Sequence, residues 1–349
     1  MKNLSLGLLI LTLLSLLIAC RDQDSEKSDS ESQLIVSDSI RIRDPYIFAD
    51  TNSMTYYMYA QMQNRLQREA TKGGEGRNQQ GVEVYTSKDL KHWTAPKAVL
   101  ELADDFWARK SVWAPEVHAY KGQYYLFVTL TSTEKITETP HPKNDETQWK
   151  RGTHIFRSSS LEGPFVAMQS AAHTPADWMS LDGTLWEENG TPYMVFCHEW
   201  AQVEDGTMEV VELSADLSEP IGKPRFLFKA SEASWVRNMK NVGIKRNGLV
   251  TDGTFFYQNR KGELLMLWSS FGEQRYAMAM ARSQSGSVFG PWEQIEPPII
   301  TADGGHGMLF EDFEGQLLLA WHQPNGGLRE RLHLQPVREN EEGLLELTD

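Results

Sequence analysis

Leu181-Asp182-Gly183-Thr184-Leu185-Trp186-Glu187-Glu188-Asn189-Gly190-Thr191-Pro192-Tyr193-Met194-Val195-Phe196 holds the pattern from which the fold is read. A polar residue opens a strand, Asn-Gly supplies a tight turn, and an aromatic and β-branched strand follows. The same order recurs along the chain. Its other openings are Asp44-Pro45-Tyr46, Pro115-Glu116-Val117, Thr251-Asp252-Gly253 and Gly305-His306-Gly307. The strands that answer Tyr193-Met194-Val195-Phe196 are Tyr56-Tyr57-Met58-Tyr59, Tyr124-Tyr125-Leu126-Phe127, Leu264-Leu265-Met266-Leu267-Trp268 and Leu317-Leu318-Leu319-Ala320-Trp321.

A third strand in most units runs into Ser87-Lys88-Asp89-Leu90, Ser158-Ser159-Ser160-Leu161, Ser214-Ala215-Asp216-Leu217 or Arg282-Ser283-Gln284-Ser285. These serines read as turn formers whose side chains satisfy nearby backbone donors, not as nucleophiles. Helical periodicity is scarce. A period of roughly 55 to 70 residues with about four strands per unit predicts an all-β, five-bladed β-propeller, its four-stranded antiparallel blades arranged around a central channel.

The chain has 349 residues, 40% hydrophobic and 10% aromatic, enough to build a large core and to exclude disorder throughout. A formal net charge of -14 without a Lys/Arg cluster argues against nucleic acid as a partner and suits a neutral polymer. Lys2, the apolar stretch from Leu4 to Ile18, and Ala19-Cys20 read as an export signal that is too short to span a membrane. Leu17-Ile18-Ala19-Cys20 resembles a bacterial lipobox. The expected organisation is therefore a lipoprotein signal peptide over 1–19, lipidation at Cys20, a flexible polar tether over 20–39 and one propeller domain over 40–349. Cys197, in an apolar run, is expected to be a buried thiol and not a nucleophile.

In a propeller, the residues that begin the innermost strands converge on the channel. Here they are Asp44, Glu116, Asp182, Asp252 and His306. Asp-Gly and Asp-Pro also open turns, but carboxylates recurring at one repeat position point to a shared site. Paired carboxyls are what glycoside hydrolysis needs: one kept protonated to donate to the leaving oxygen, one ionised to activate water.

Arg43-Asp44-Pro45-Tyr46-Ile47, Trp113-Ala114-Pro115-Glu116, Leu181-Asp182-Gly183, Thr251-Asp252-Gly253 and Gly305-His306-Gly307 together resemble the successive blade openings of glycoside hydrolase family 43, over residues 41–335. The resemblance implies an inverting enzyme acting on arabinose- or xylose-containing glycans, most like an exo-acting α-L-arabinofuranosidase. It implies Asp44 as general base and Asp182 as the aspartate that tunes and orients the acid. The family's acid is usually Glu in a Glu-Gly-Pro step; this sequence has Asp252-Gly253-Thr254 there, and Glu199 in His198-Glu199-Trp200 is the competing acid. His306 would bind water or, through water, a channel calcium; no other cofactor is implied. Trp113, Glu116, Trp178 and Trp200 are the expected substrate contacts, and the loops 133–151 and 231–247 the expected specificity loops.

Two rival functions keep the same fold. A phosphorylase would need a phosphate site, for which Arg237 and Arg275 are available. A non-catalytic glycan-binding lipoprotein would follow from loss of the usual acid. The implied location is the cell surface or periplasm of a Gram-negative bacterium, on a membrane through the lipid.

Overall fold

The computed structural model describes residues 34–62 and 80–348. The signal peptide, Cys20 and most of the expected tether lie outside them. Five antiparallel sheets follow one another along the chain. The first holds β1 (Ile35–Val36), β2 (Tyr46–Asp50), β3 (Thr55–Gln61), β4 (Gly81–Ser87), β5 (His92–Trp93) and β6 (Lys97–Glu101). The second holds β7 (Ser111–Tyr120), β8 (Gln123–Lys135), β9 (Trp149–Ser158) and β10 (Val166–Ala167). The third holds β11 (Ser180–Glu188), β12 (Thr191–His198), β13 (Thr207–Leu213) and β14 (Pro220–Lys229). The fourth holds β15 (Asp252–Gln258), β16 (Leu264–Gly272), β17 (Arg275–Ser283) and β18 (Trp292–Ile300). The fifth holds β19 (Gly305–Glu311), β20 (Leu317–Gln323), β21 (Arg331–Glu339) and β22 (Leu345–Leu347). The innermost strands β2, β7, β11, β15 and β19 each touch the next, and β19 returns to β2. This is the expected five-bladed propeller.

The second strand of a blade is covered on both faces by its neighbours, which explains its unbroken apolar sequence. Every residue of β3 and of β16 is buried. Asn189 and Gly190, at φ 53° and 80°, form the turn that their sequence calls for. Cys197 is a buried free thiol. Residues 34–39 belong to the fold: Ile35 and Val36 pair with Trp93 and His92, and Ser37 Oγ accepts the indole N–H of Trp93 at 2.9 Å. The fold therefore includes the last residues of the stretch expected to be tether, where the Leu-Ile-Val interruption adds an edge strand.

One backbone device repeats at the channel. Asp44, Ala114, Asp182, Gly253 and His306 all take positive φ, between 44° and 59°. In blades 2 to 5 a β-bulge sits there, with register shifts between Trp113 and Glu116, Leu181 and Thr184, Asp252 and Phe255, and Gly305 and Met308. This sets the true phase of the repeat and corrects the expectation that five residues share one position. Asp44, Asp182 and His306 are in phase; Asp252 stands one residue early and Glu116 two residues late. In blade 4 the in-phase position must be glycine, since a Cβ on Gly253 would lie 2.8 Å from Cγ of His306.

The final strand pairs within its own blade, so side chains close the ring. Arg41 and Arg43 converge on Glu330 at 2.8 and 2.9 Å, and Arg331 Nε donates to the carbonyl of Asp38 at 2.7 Å. Tyr56 stacks on Phe313 at 4.1 Å across the same seam.

Candidate active site

The bulges turn their side chains into a cleft of about 440 Å³ at one end of the channel, whose floor includes Asp44, Asp182, Asp252 and His306. Each strained N–H at this floor needs an acceptor, because no ladder partner remains at a bulge. The acceptor comes from the second strand of the preceding blade. Thr129 Oγ1 accepts from Asp182 at 2.8 Å, Ser269 Oγ from His306 at 2.8 Å, and His322 Nδ1 from Asp44 at 3.2 Å. A sequence signal for these three residues exists: a polar side chain at the end of an otherwise apolar second strand.

The tautomer of His322 follows from its partners. A ring that accepts at Nδ1 carries its hydrogen on Nε2, which lies 3.2 Å from Oδ1 of Asn325. The imidazole is therefore neutral, and burial, outweighing the nearby Asp44 charge, pushes it down to about 3. Tyr276 stacks on this ring at 5.8 Å and donates its hydroxyl to Oδ2 of Asp252 at 3.1 Å.

The three aspartates are electrically unequal. Burial alone would raise Asp44, but His306, with Nδ1 at 3.1 Å from Oδ1, and Arg43, with Nε at 3.5 Å from Oδ2, hold it below the ordinary carboxylate value. Burial raises Asp182 to about 6, with the Asp44 charge adding to the rise and His306, 3.7 Å away, opposing it. Asp252 is pushed well above its usual value, first by burial and then by the Asp182 charge. Burial would lower His306, but Asp44, Asp182 and Asp252 surround it and raise it. Asp182 Oδ2 also accepts the Gly253 N–H at 3.0 Å, tying it to the backbone beside Asp252.

The remaining expected residues divide. Trp113, Trp200 and Glu199 line the cleft. Glu199 is ion-paired with buried Arg151, whose guanidinium lies 4.3 Å from the Trp113 ring. Two expected contacts do not reach the cleft. Glu116, displaced by its phase, lies 3.0 Å from His118 Nε2, and Trp178 stacks flat on His198 at 4.1 Å. The loops 133–151 and 231–247 do meet beside the cleft: Asn247 Nδ2 donates to the carbonyl of Lys143 at 3.2 Å, and Met239 and Ile244 form part of the wall. Arg237 is taken up by Glu273 at 3.0 Å, whereas Arg275 faces the cleft.

Among the described residues no three His, Cys, Asp or Glu side chains are arranged to hold a metal ion directly. His306 turns its Nδ1 to Asp44.

Comparison with known proteins agrees with this arrangement. The profile of "Glycosyl hydrolases family 43" matches residues 37–345. The crystal structure of an endo-arabinase from Bacteroides thetaiotaomicron VPI-5482 is 37% identical, covering 89% of this chain and 99% of that one, with a TM-score of 0.74. Among curated proteins, the extracellular endo-alpha-(1->5)-L-arabinanase 1 of Bacillus subtilis (strain 168) is 22% identical over 61% of this chain. Alpha-L-arabinofuranosidase 43 of Humicola insolens is 27% identical over 60% of it. The matches span 60% and 40% of those two relatives' lengths. With the profile covering nearly the whole propeller, the chain belongs to glycosyl hydrolase family 43.

Proposed function

We propose that this protein hydrolyses the glycosidic bonds of arabinose-containing polysaccharide with inversion of configuration, Asp44 acting as base and Asp252 as acid. The observation that carries this reading is their opposite ionisation within one cleft. Asp44, kept anionic by His306 and Arg43, takes a proton from the water that attacks the anomeric carbon. Asp252, kept neutral, gives its proton to the departing oxygen. Asp182 orients the acid through Gly253, and its negative charge keeps that acid protonated. Removal of the proton from water and its replacement at the leaving group leave the pair to be reset by solvent.

Linear α-1,5-arabinan is the favoured substrate, cleaved internally, since the 37% identical relative bears the name endo-arabinase. This departs from the exo-acting arabinofuranosidase suggested by sequence. Incubation with linear arabinan, debranched oligosaccharides and aryl arabinofuranosides, with proton NMR of the first-formed anomer, tests both points. Internal cleavage yields a ladder of oligosaccharides in the inverted anomer. Binding without release would instead establish the glycan-binding lipoprotein, and a rate dependent on added phosphate the phosphorylase.

We propose further that the protein is exported and anchored through lipid on Cys20, in a Gram-negative envelope. The Lys2 flank, the apolar stretch and the lipobox-like step support this, as does the extracellular description of the Bacillus subtilis relative. Labelling with a radioactive or alkynyl fatty acid, lost on Cys20→Ser, is the test.

A further inference from the structure

A second cavity, of about 260 Å³, opens beside the cleft. Ser132 and Glu134 reach it from the end of β8, Lys150 and Arg151 from the start of β9. Arg151 pairs with Thr131, two residues along the ladder from the Thr129 that pairs with Trp113, so the cavity lies at the cleft end of blade 2. Arg151 is the partition: its side chain lines the cavity, while its guanidinium packs on Trp113 and pairs with Glu199, both in the cleft wall.

Its chemistry suits an uncharged, hydroxyl-rich ring. Trp107 already spends its N–H on His154 Nδ1 at 3.2 Å, so what it offers the cavity is an apolar plate. Lys150 and Glu134 lie 2.5 Å apart and cancel one another, leaving donors and acceptors without net charge. Thr174 closes one wall, its Oγ1 packed against Gly152. Small side chains at Ala171, Ala172 and Ala176 leave the space open. The volume falls just below the roughly 300 Å³ at which drug-sized pockets begin, the scale of one monosaccharide.

We propose that this cavity is a second sugar site, which takes one neutral pentose unit of the polysaccharide held in the cleft. The proposal rests on the function proposed above, but the two fail separately.

The test uses the full chain with Ala176→Trp, which fills the cavity from an exposed position, and Trp107→Ala, which removes the plate. Steady-state rates are measured on long linear α-1,5-arabino-oligosaccharides and on an aryl arabinofuranoside too short to reach the cavity. Both variants are expected to lose about tenfold in kcat/KM on the long substrate, about 1.4 kcal/mol, through KM, with the short substrate unchanged. Activity on the short substrate also reports folding. A loss equal for both lengths, or no loss, overturns the proposal. If the wild type cleaves no arabinan, the functional reading falls; titration of Asp44→Asn with the long oligosaccharide, with and without Ala176→Trp, then decides the cavity. Weaker binding with the tryptophan supports the site, and equal binding overturns it.

Discussion

The Tyr276 hydroxyl sits 3.1 Å from Oδ2 of Asp252 while the same ring stacks on His322, the residue that accepts the backbone N–H of Asp44. One side chain thus holds Asp252, the proposed acid, and braces the residue that supports Asp44, the proposed base.

Tyr276→Phe keeps the stack and removes the donor. A donor to a carboxyl favours its ionised form, so its loss raises the pKa of Asp252 still further. The alkaline limb of the kcat/KM profile is expected to move to higher pH, while kcat falls about tenfold as the acid loses orientation. A purely structural contact would leave the limb in place.

The pH profile of the wild type is set by the same asymmetry. In the proposed mechanism, turnover needs Asp44 ionised and Asp252 protonated. Asp44 lies below the usual carboxylate value, so the acid limb falls below about pH 4. Asp252 lies well above it, so the alkaline limb is displaced upward and the active window is wide. An Asp44→Asn variant should keep its fold and lose about 10²–10⁴-fold in kcat. Rates across pH, with circular dichroism as the control, check both statements.

Asp182 exchanges stability for chemistry. Its pKa rises from 3.8 to about 6 on folding, so the folded state binds the extra proton between those values. Stability from this group is undiminished below about pH 4 and is lost as pH rises through 6, by about 3 kcal/mol in all. Asp182→Asn, which can still accept from Gly253, is expected to be more stable than wild type at pH 8 and equal to it at pH 4, while losing activity. Denaturant melts at the two pH values measure the crossover.

Glu330, 1% exposed and bound by both Arg41 and Arg43, is the key to the seam. Glu330→Gln removes the carboxylate charge that the two guanidinium groups share. A loss of about 3–5 kcal/mol is expected from breaking such a buried pair, measured by guanidinium unfolding.

Much of this was legible in sequence. The aromatic second strands and their Gly turns mark the blades because burial on both faces demands unbroken apolar runs. Asp44, Asp182 and His306 stand out because they share the positive-φ position at the opening of an innermost strand. Asp252 was found by its neighbours in the motif, and its one-residue offset was hidden because a bulge leaves no mark on residue spacing. The same blindness placed Glu116 in the cleft. Trp178 misled because an indole beside a site in sequence can face a histidine in space. His322, Tyr276 and Arg151 were missed because each acts across a blade boundary, which local pattern does not encode.

The two arginines that clasp the ring include the residue next to Asp44. Closing the circle and arming the proposed base are thus one event, since Arg43 serves Glu330 at the seam and Asp44 at the floor. A propeller that parts at this clasp, even with every blade intact, loses its base before it loses its sheets. Heating or mild denaturant should therefore silence catalysis ahead of the β-sheet signal, making turnover a gauge of whether the circle is shut.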